Sequence, residues 1–262
     1  MMSHGVADKS YLFRLDPKGG LEINKYRTVC VPGDWLKKRI LSDPKLELED
    51  SQIKVVGWPR IDSLLAEQRN LNLIDKFRRY LHKRKIKVLW APTHDGGQKT
   101  GSPVSSFPSF LRYKETLQQL FDFSVSLHPA QRNGGMPTFQ SLLDADVVIS
   151  DRGTMVYEAW ALNKPVIFPS WIIGDGNREK NTGSAESFIF RKKIGFHAQS
   201  FDEMIDLIRI VKKPDSQVLR FMDEYLPART RGNSNLLLAE AVKEIWNSGD
   251  LGVKRKVVAE DD

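Results

Sequence analysis

Short β-branched runs alternate along this chain with segments whose apolar residues recur at helical spacing. Lys87-Val88-Leu89-Trp90-Ala91 and Val147-Val148-Ile149-Ser150 are apolar at successive positions, as strands buried on both faces are. Strands of this kind separated by helical patterns predict an α/β fold with a parallel sheet covered by helices. In the first part of the chain, Arg27-Thr28-Val29-Cys30-Val31 predicts a strand, and Asp34 is a suitable N-cap for a helix from Trp35 to Leu41. A second strand, Ile53-Lys54-Val55-Val56, ends at Gly57-Trp58-Pro59-Arg60, and a helix is expected from about Asp62 to Lys83. The second part is clearer. Strands are predicted at Lys87–Ala91, Phe123–Leu127, Val147–Ser150 and Val166–Phe168. Helices are predicted at Tyr113–Leu120, Thr138–Leu143, Met155–Leu162, Phe201–Val211 and Asn235–Trp246. A Gly-rich polar loop runs from Asp95 to Pro103, and the tail after Gly249 is charged. No internal repeat or long low-complexity segment occurs.

The polar residues that could do chemistry cluster where the strands end. Thr93, His94 and Asp95 follow one strand, His128 the next, and Asp151, Gly153 and Thr154 a third. In an open parallel sheet, ligands bind at the carboxyl ends of the strands. Asp151-Arg152-Gly153-Thr154 lies between a strand and a helix. Gly153 allows close approach of a phosphate, and the helix's free first-turn N–H groups and dipole favour an anion. Thr154 adds a hydroxyl donor. Glu158, one turn further on the same face, is a candidate acceptor for ribose hydroxyls. The plainer alternative is that Asp151 or Thr154 merely caps the helix. His128, fixed by Pro129, points to the same rim, unless it is a structural histidine. His4-Gly5 near Lys9 is a third element, standing at the extreme start of the chain. His82 reads as a surface residue and His197 as a structural one. Serine-hydrolase, Walker and dinucleotide-fingerprint motifs are all missing.

Composition narrows the class without naming it. The 262 residues are 40% hydrophobic and 28% charged, enough to bury a core and ordinary for a globular protein. No apolar run approaches the roughly 18–20 residues of a membrane span, and the first residues do not form a signal peptide. One cysteine, Cys30, cannot make an internal disulfide, so a cytoplasmic setting is the default expectation. The net charge of +7 suits a phosphate-rich substrate or anionic lipid. Its densest cluster, Arg78 to Lys87, is either a solvated helix end or a contact with an anionic membrane surface or polymer. No nucleic-acid motif is present, and nucleic acid is not an expected partner.

Taken in order, six short elements resemble the CDP-glycerol glycerophosphotransferase family, the teichoic acid primases and polymerases. His4-Gly5-Val6-Ala7-Asp8-Lys9 is similar to the family's His-Gly-Thr-Pro-Leu-Lys element, and Gly57-Trp58-Pro59-Arg60-Ile61-Asp62 to its Gly-x-Pro-Arg-x-Asp element. Trp90-Ala91-Pro92-Thr93, His128-Pro129, Ala145 to Asp151 and Lys164-Pro165-Val166-Ile167-Phe168 resemble four further elements. Arg152-Gly153-Thr154 stand where the family has Tyr-Ser-Ser, and the Thr-Pro-Leu of the first element is lost.

The resemblance implies a GT-B type fold, with a Rossmann-like parallel-sheet C-terminal domain and an incomplete N-terminal lobe. The expected divisions are a partial acceptor-side lobe over 1–60, a linking helix over 61–84, a nucleotide-donor-binding domain over 85–235, and a C-terminal helix and charged tail over 236–262. The last helix is expected to pack back across the cleft. Three origins are open for the missing part of the lobe: another polypeptide, a misplaced start, or a truncated relative. The implied activity is transfer of glycerol phosphate, or a related polyol phosphate, from a CDP-linked donor to a polymer or lipid-linked acceptor at the cell surface. His4 would act as general base and His128 would stabilise phosphate or protonate the leaving group. Thr93, Asp151, Gly153, Thr154 and Glu158 would bind donor and phosphate. No cofactor is demanded. A divalent metal is compatible with the chemistry, but no carboxylate cluster requires one. The setting implied is cytoplasmic, with a peripheral place on the inner face of the membrane. Two alternatives stay open: a GT-B nucleotide-sugar glycosyltransferase or UDP-GlcNAc 2-epimerase-like enzyme, and a non-catalytic nucleotide-binding subunit.

Overall fold

The computed structural model describes residues 1–2, 6–8, 10–70, 85–93, 105–127, 138–174 and 183–247. Two parallel sheets organise them. The larger has five strands: β3 (Lys87–Ala91), β4 (Asp122–Val125), β5 (Val147–Ser150), β6 (Val166–Pro169) and β7 (Phe196–Ala198). Their order is β4-β3-β5-β6-β7, all parallel. The side-chain period of two sends Leu89, Ala91, Val148, Val166 and Phe168 to one face and Val88, Trp90, Val147, Ile149 and Ile167 to the other. Both faces are covered, which is why these runs show no polar alternation in the sequence. Of the helices introduced so far by pattern, α3 (Lys114–Leu120) and α8 (Phe201–Ile210) cover the second face through Leu117, Met204 and Ile208. The first face is covered by α4 (Thr138–Asp144), α5 (Thr154–Ala161), α7 (Ala185–Lys192) and α9 (Ser216–Tyr225). A short α6 (Ser170–Ile173) follows β6.

The smaller sheet pairs β1 (Val29–Val31) with β2 (Ile53–Val55) in parallel, joined through α1 (Asp34–Leu41). Leu36 and Ile40 of α1 pack with Val29, Val31 and Ile53 on one face. The other face, at Cys30 and Val56, is closed by Ala241, Leu237 and Leu238 of α10 (Ser234–Asn247). Met2 bridges to Cys30 alongside β1, and Cys30 N donates to Met1 O at 2.7 Å. The last helix therefore returns to the first lobe.

The seam between the lobes is close. A Cβ built on Gly33 would lie 2.0 Å from the Tyr225 carbonyl oxygen, and one on Gly57, whose φ is +79°, 2.3 Å from Ser234 Oγ. Trp58 N donates to Ser234 Oγ at 2.9 Å. The Asp62 carboxylate, at the start of α2 (Pro59–Asn70), accepts from Gly232 N and Asn235 N, both at 2.9 Å, and so caps the turn into α10 from another element. Arg229 Nη2 donates to both carboxylate oxygens of Asp34, at 2.8 and 2.9 Å.

Several local expectations shift. Asp34 is the first residue of α1 and Gly33 its N-cap, with no side-chain cap bond. The helix after Gly57 starts at Pro59, where a missing N–H costs nothing; its expected continuation over 71–84, with most of the basic run, lies outside the described residues, as does the tail after Gly249. The sequence pattern did not single out β7, α7 or α9. In β7 only three residues pair, too few to show a period. For α9 a signal was present: Val218, Phe221, Met222 and Tyr225 are all buried at helical spacing, and Asp215 caps the helix through Val218 N at 2.8 Å.

Candidate donor-binding rim

The strand order changes direction next to β3. From β3 the chain moves outward to β4, then returns to place β5 on the other side of β3. That is a topological switch point, where a crevice opens between the loops leaving two adjacent strands. The loops leaving β3 and β5 carry Thr93 and Asp151–Thr154.

Asp151 ties this rim together. It is 0% exposed. Its Oδ2 accepts from Thr93 N at 3.0 Å and Ser106 N at 2.9 Å, and Ser105 Oγ lies 3.2 Å away. Ser105 Oγ is also 2.8 Å from Thr93 O. Ser106 Oγ accepts from Trp90 Nε1 at 3.0 Å, and Ser150 Oγ donates to Ala91 O at 2.7 Å. Burial pushes the Asp151 carboxyl up, against the hydrogen bonds from Ser106, Thr93 and Ser105. Its Oδ1 is buried without a hydrogen-bond partner among the described residues. Asp151 thus fixes the geometry of the rim from below.

Above it, Gly153 adopts φ 88° and ψ −166°, a conformation that glycine takes without strain. It is the N-cap of α5, and no side chain caps that helix. The nearest atom to a Cβ built there is Thr93 Oγ1 at 3.9 Å, so Thr93 and the Gly153-Thr154 turn face one another across the rim. Thr93 and Thr154 are both half-buried. Glu158, one turn along α5, is 1% exposed and accepts from Arg60 Nε at 2.6 Å. Burial pushes the Glu158 carboxyl up, and Arg60 draws it back. The structure therefore brings Thr93, Asp151, Gly153, Thr154 and Glu158 to one region, with Asp151 and Glu158 buried beneath it. His4 and His128, the two acid–base candidates, lie outside the described residues, as do His82 and His94. His197 is in β7, stacked on Phe168 at 4.7 Å, with Nδ1 3.2 Å from Ser170 Oγ. Among the described residues, no group of three or more His, Cys, Asp or Glu side chains could hold a metal ion.

Sequence reasoning missed a second polar cluster, in the seam. Asp8 is 5% exposed; its Oδ1 pairs with Arg39 of α1, and its Oδ2 accepts from Ala185 N, at the first turn of α7, at 2.9 Å. Tyr225 OH donates to Val6 O at 2.6 Å. Glu186 lies beside them, pushed up to about 7 by burial and then by the Asp8 charge. Its Oε2 is buried with no hydrogen-bond partner among the described residues. The one signal for Asp8 was its place in the His-Gly element, where the family has leucine; nothing local marks Arg39 or Glu186.

Parallel strands and a switch point define an α/β lobe of GT-B type, and known proteins share that fold. No protein-family model matches the chain. Teichoic acid poly(ribitol-phosphate) polymerase from Bacillus spizizenii is 25% identical over 217 residues, covering 75% of this chain and 34% of that protein. The structure of the wall teichoic acid polymerase TagF superposes with a TM-score of 0.56 at 15% identity, over 93% of this chain and 68% of that one. Its H444N variant superposes with a TM-score of 0.50 at 16% identity, over 84% and 59%. UDP-GlcNAc 2-epimerase from Neisseria meningitidis, bound to UDP-GlcNAc, gives 0.50 at 15% identity, over 83% and 62%. The chain is thus similar in sequence to a teichoic acid polymerase and shares the GT-B fold of TagF. It spans about a third of the length of the curated relative. No helix among the described residues is long and apolar enough to cross a membrane.

Proposed function

We propose that this chain binds a nucleoside-diphosphate-linked donor at the rim between β3 and β5, and that it serves a transferase moving glycerol phosphate or a related polyol phosphate from a CDP-linked donor to a growing polymer or lipid-linked acceptor. The observation that carries this is the meeting of Thr93 with the Gly153-Thr154 turn at the switch point, over a buried Asp151 that sets both loops. The Bacillus relative, a poly(ribitol-phosphate) polymerase by name, supports a polyol-phosphate product. Gly153 and Thr154 hold the diphosphate by backbone N–H groups and a hydroxyl. The acceptor's hydroxyl oxygen attacks the β-phosphorus, the bond from that phosphorus to the bridging oxygen breaks, and CMP leaves. His4 takes the hydroxyl proton as general base, and His128 stabilises the phosphate or protonates the leaving group. Such transfer depends on positioning and on charge neutralisation. The enzyme works in the cytoplasm, and the basic run from Arg78 to Lys87 gives it a contact with the anionic inner face of the membrane.

The UDP-GlcNAc-bound epimerase shares the fold and supports a second reading, a UDP-sugar donor. A donor screen separates the two. CMP release from CDP-glycerol or CDP-ribitol, with none of UDP from UDP-GlcNAc, is the expected result. UDP release alone would transfer the assignment to a sugar nucleotide. Release from neither, with nucleotide still bound, would favour a non-catalytic nucleotide-binding subunit.

A further inference from the structure

Arg60 stands in the first turn of α2, yet its side chain crosses to α5. Nε donates to Glu158 Oε1 at 2.6 Å, the arginine side chain remaining 47% exposed while the glutamate is 1% exposed. The guanidinium fork can present two nitrogens to one carboxylate. Here the carboxylate takes Nε alone. The Nη groups make no hydrogen bond or ion pair with the described residues. The cation is thus oriented from behind and open in front.

Its place follows from helix geometry. The Cα–Cβ bond of a helical residue tilts toward the N-terminus, so the Glu158 carboxylate lies over the turn that contains Thr154 and Met155. The guanidinium that this carboxylate holds is therefore directed toward the first turn of α5, the turn that opens with Gly153-Thr154. A pair of this kind adds little net stability, because desolvating the carboxylate offsets most of the attraction. Its clear consequence is a cation fixed at one spot.

We propose that Arg60 contacts the diphosphate of the donor, with Glu158 as its positioning residue. The assignment rests on the donor site described above. Negative charge develops on the bridging oxygen as its bond to the β-phosphorus breaks and CMP departs; the Arg60 guanidinium neutralises that charge. Glu158 then acts through Arg60 and not by accepting from ribose. Arg60 also comes from outside the five-stranded lobe, so the donor site is completed by α2.

The test is calorimetric titration of CDP, UDP and cytidine into the full chain and its R60Q, R60K and E158Q variants, each first shown to be folded by thermal melting. R60Q is expected to lose about tenfold to hundredfold in affinity for both diphosphates and to keep its cytidine affinity, whereas a merely structural role would weaken all three alike. R60K should recover part of the loss, and E158Q should show a smaller loss than R60Q. If R60Q does not fold, R60K decides: diphosphate affinity equal to that of the natural chain in folded R60K and E158Q would overturn the proposal. Unchanged CDP affinity in folded R60Q would also overturn it. Should T154V abolish CDP binding while R60Q does not, the donor site stands and the Arg60 assignment falls. Failure of the natural chain to bind either diphosphate would remove both.

Discussion

The two lobes use the same parallel β–α–β connection but are stabilised differently. The larger lobe separates two apolar layers with five strands whose central members are buried on both faces. The smaller has two strands, one apolar cluster under α1, and a second face closed by α10 and Met2. What it lacks in sheet is supplied by contacts across the seam: Asp62 to the turn before α10, Asp34 to Arg229, Asp8 to Arg39 and the start of α7, and two glycines against α9 and α10. A rim built on the five-stranded lobe stands on β3 and β5, each paired on both sides, whereas groups arriving from the smaller lobe are held by individual anchors. Asp8 and Arg60 each have one, in Arg39 and Glu158.

This difference can be broken at either lobe. The largest effect is expected at Asp151. Replacing it with alanine strands Thr93 N–H and Ser106 N–H without their acceptor, and should cost about 3 kcal/mol of stability together with nucleotide binding. Thermal unfolding and a CDP titration of Asp151→Ala check both. A stable variant with full CDP affinity would show that the rim does not depend on this carboxylate. Gly33→Ala attacks the seam instead. The added Cβ would meet the Tyr225 carbonyl oxygen at 2.0 Å, a backbone atom with little freedom to give. A loss of roughly 1–3 kcal/mol is expected, with CDP affinity weakened far less than in Asp151→Ala, because Thr93 and the Gly153-Thr154 turn lie on the other lobe. Loss of CDP affinity in a folded Gly33→Ala protein would mean that seam and rim move together.

Glu186 gives an effect confined to a pH window. Its carboxyl is raised from the usual 4.5 to about 7. A carboxyl raised on folding favours the folded state fully below its unfolded value and loses that contribution as pH rises through its folded value. The natural chain should therefore lose stability relative to Glu186→Gln between pH 4.5 and about 7, by about 3 kcal/mol, with a constant difference above. Denaturant melts of the two proteins across that range measure it. A difference independent of pH would place the Glu186 carboxyl in an ordinary environment.

The sequence made the large lobe legible and the seam nearly invisible, for physical reasons. Val88–Ala91, Val147–Ser150 and Val166–Phe168 announce themselves because strands buried on both faces must be apolar at every position, and the Gly153-Thr154 turn because few residues other than glycine accept that backbone. Strand order was not readable, since an unbroken apolar run does not say which neighbour it pairs with; the switch point beside β3 emerged only in the structure. The Asp8 bond to Ala185 joins residues 177 positions apart, and no local pattern encodes it. Asp151 and Glu158 were singled out as ligand groups, and the structure adds that both carboxylates are buried and occupied with Thr93, Ser106 and Arg60.

The central claim is that a nucleoside diphosphate binds where Thr93 meets Gly153 and Thr154. Titrating CDP calorimetrically into the natural chain and into Thr154→Val tests it most directly, because the valine keeps the shape of threonine and removes its hydroxyl. The account predicts saturable CDP binding to the natural chain, weakened about tenfold in Thr154→Val with thermal stability changed little. No CDP or UDP binding by the natural chain, or equal affinity in both proteins, would contradict it.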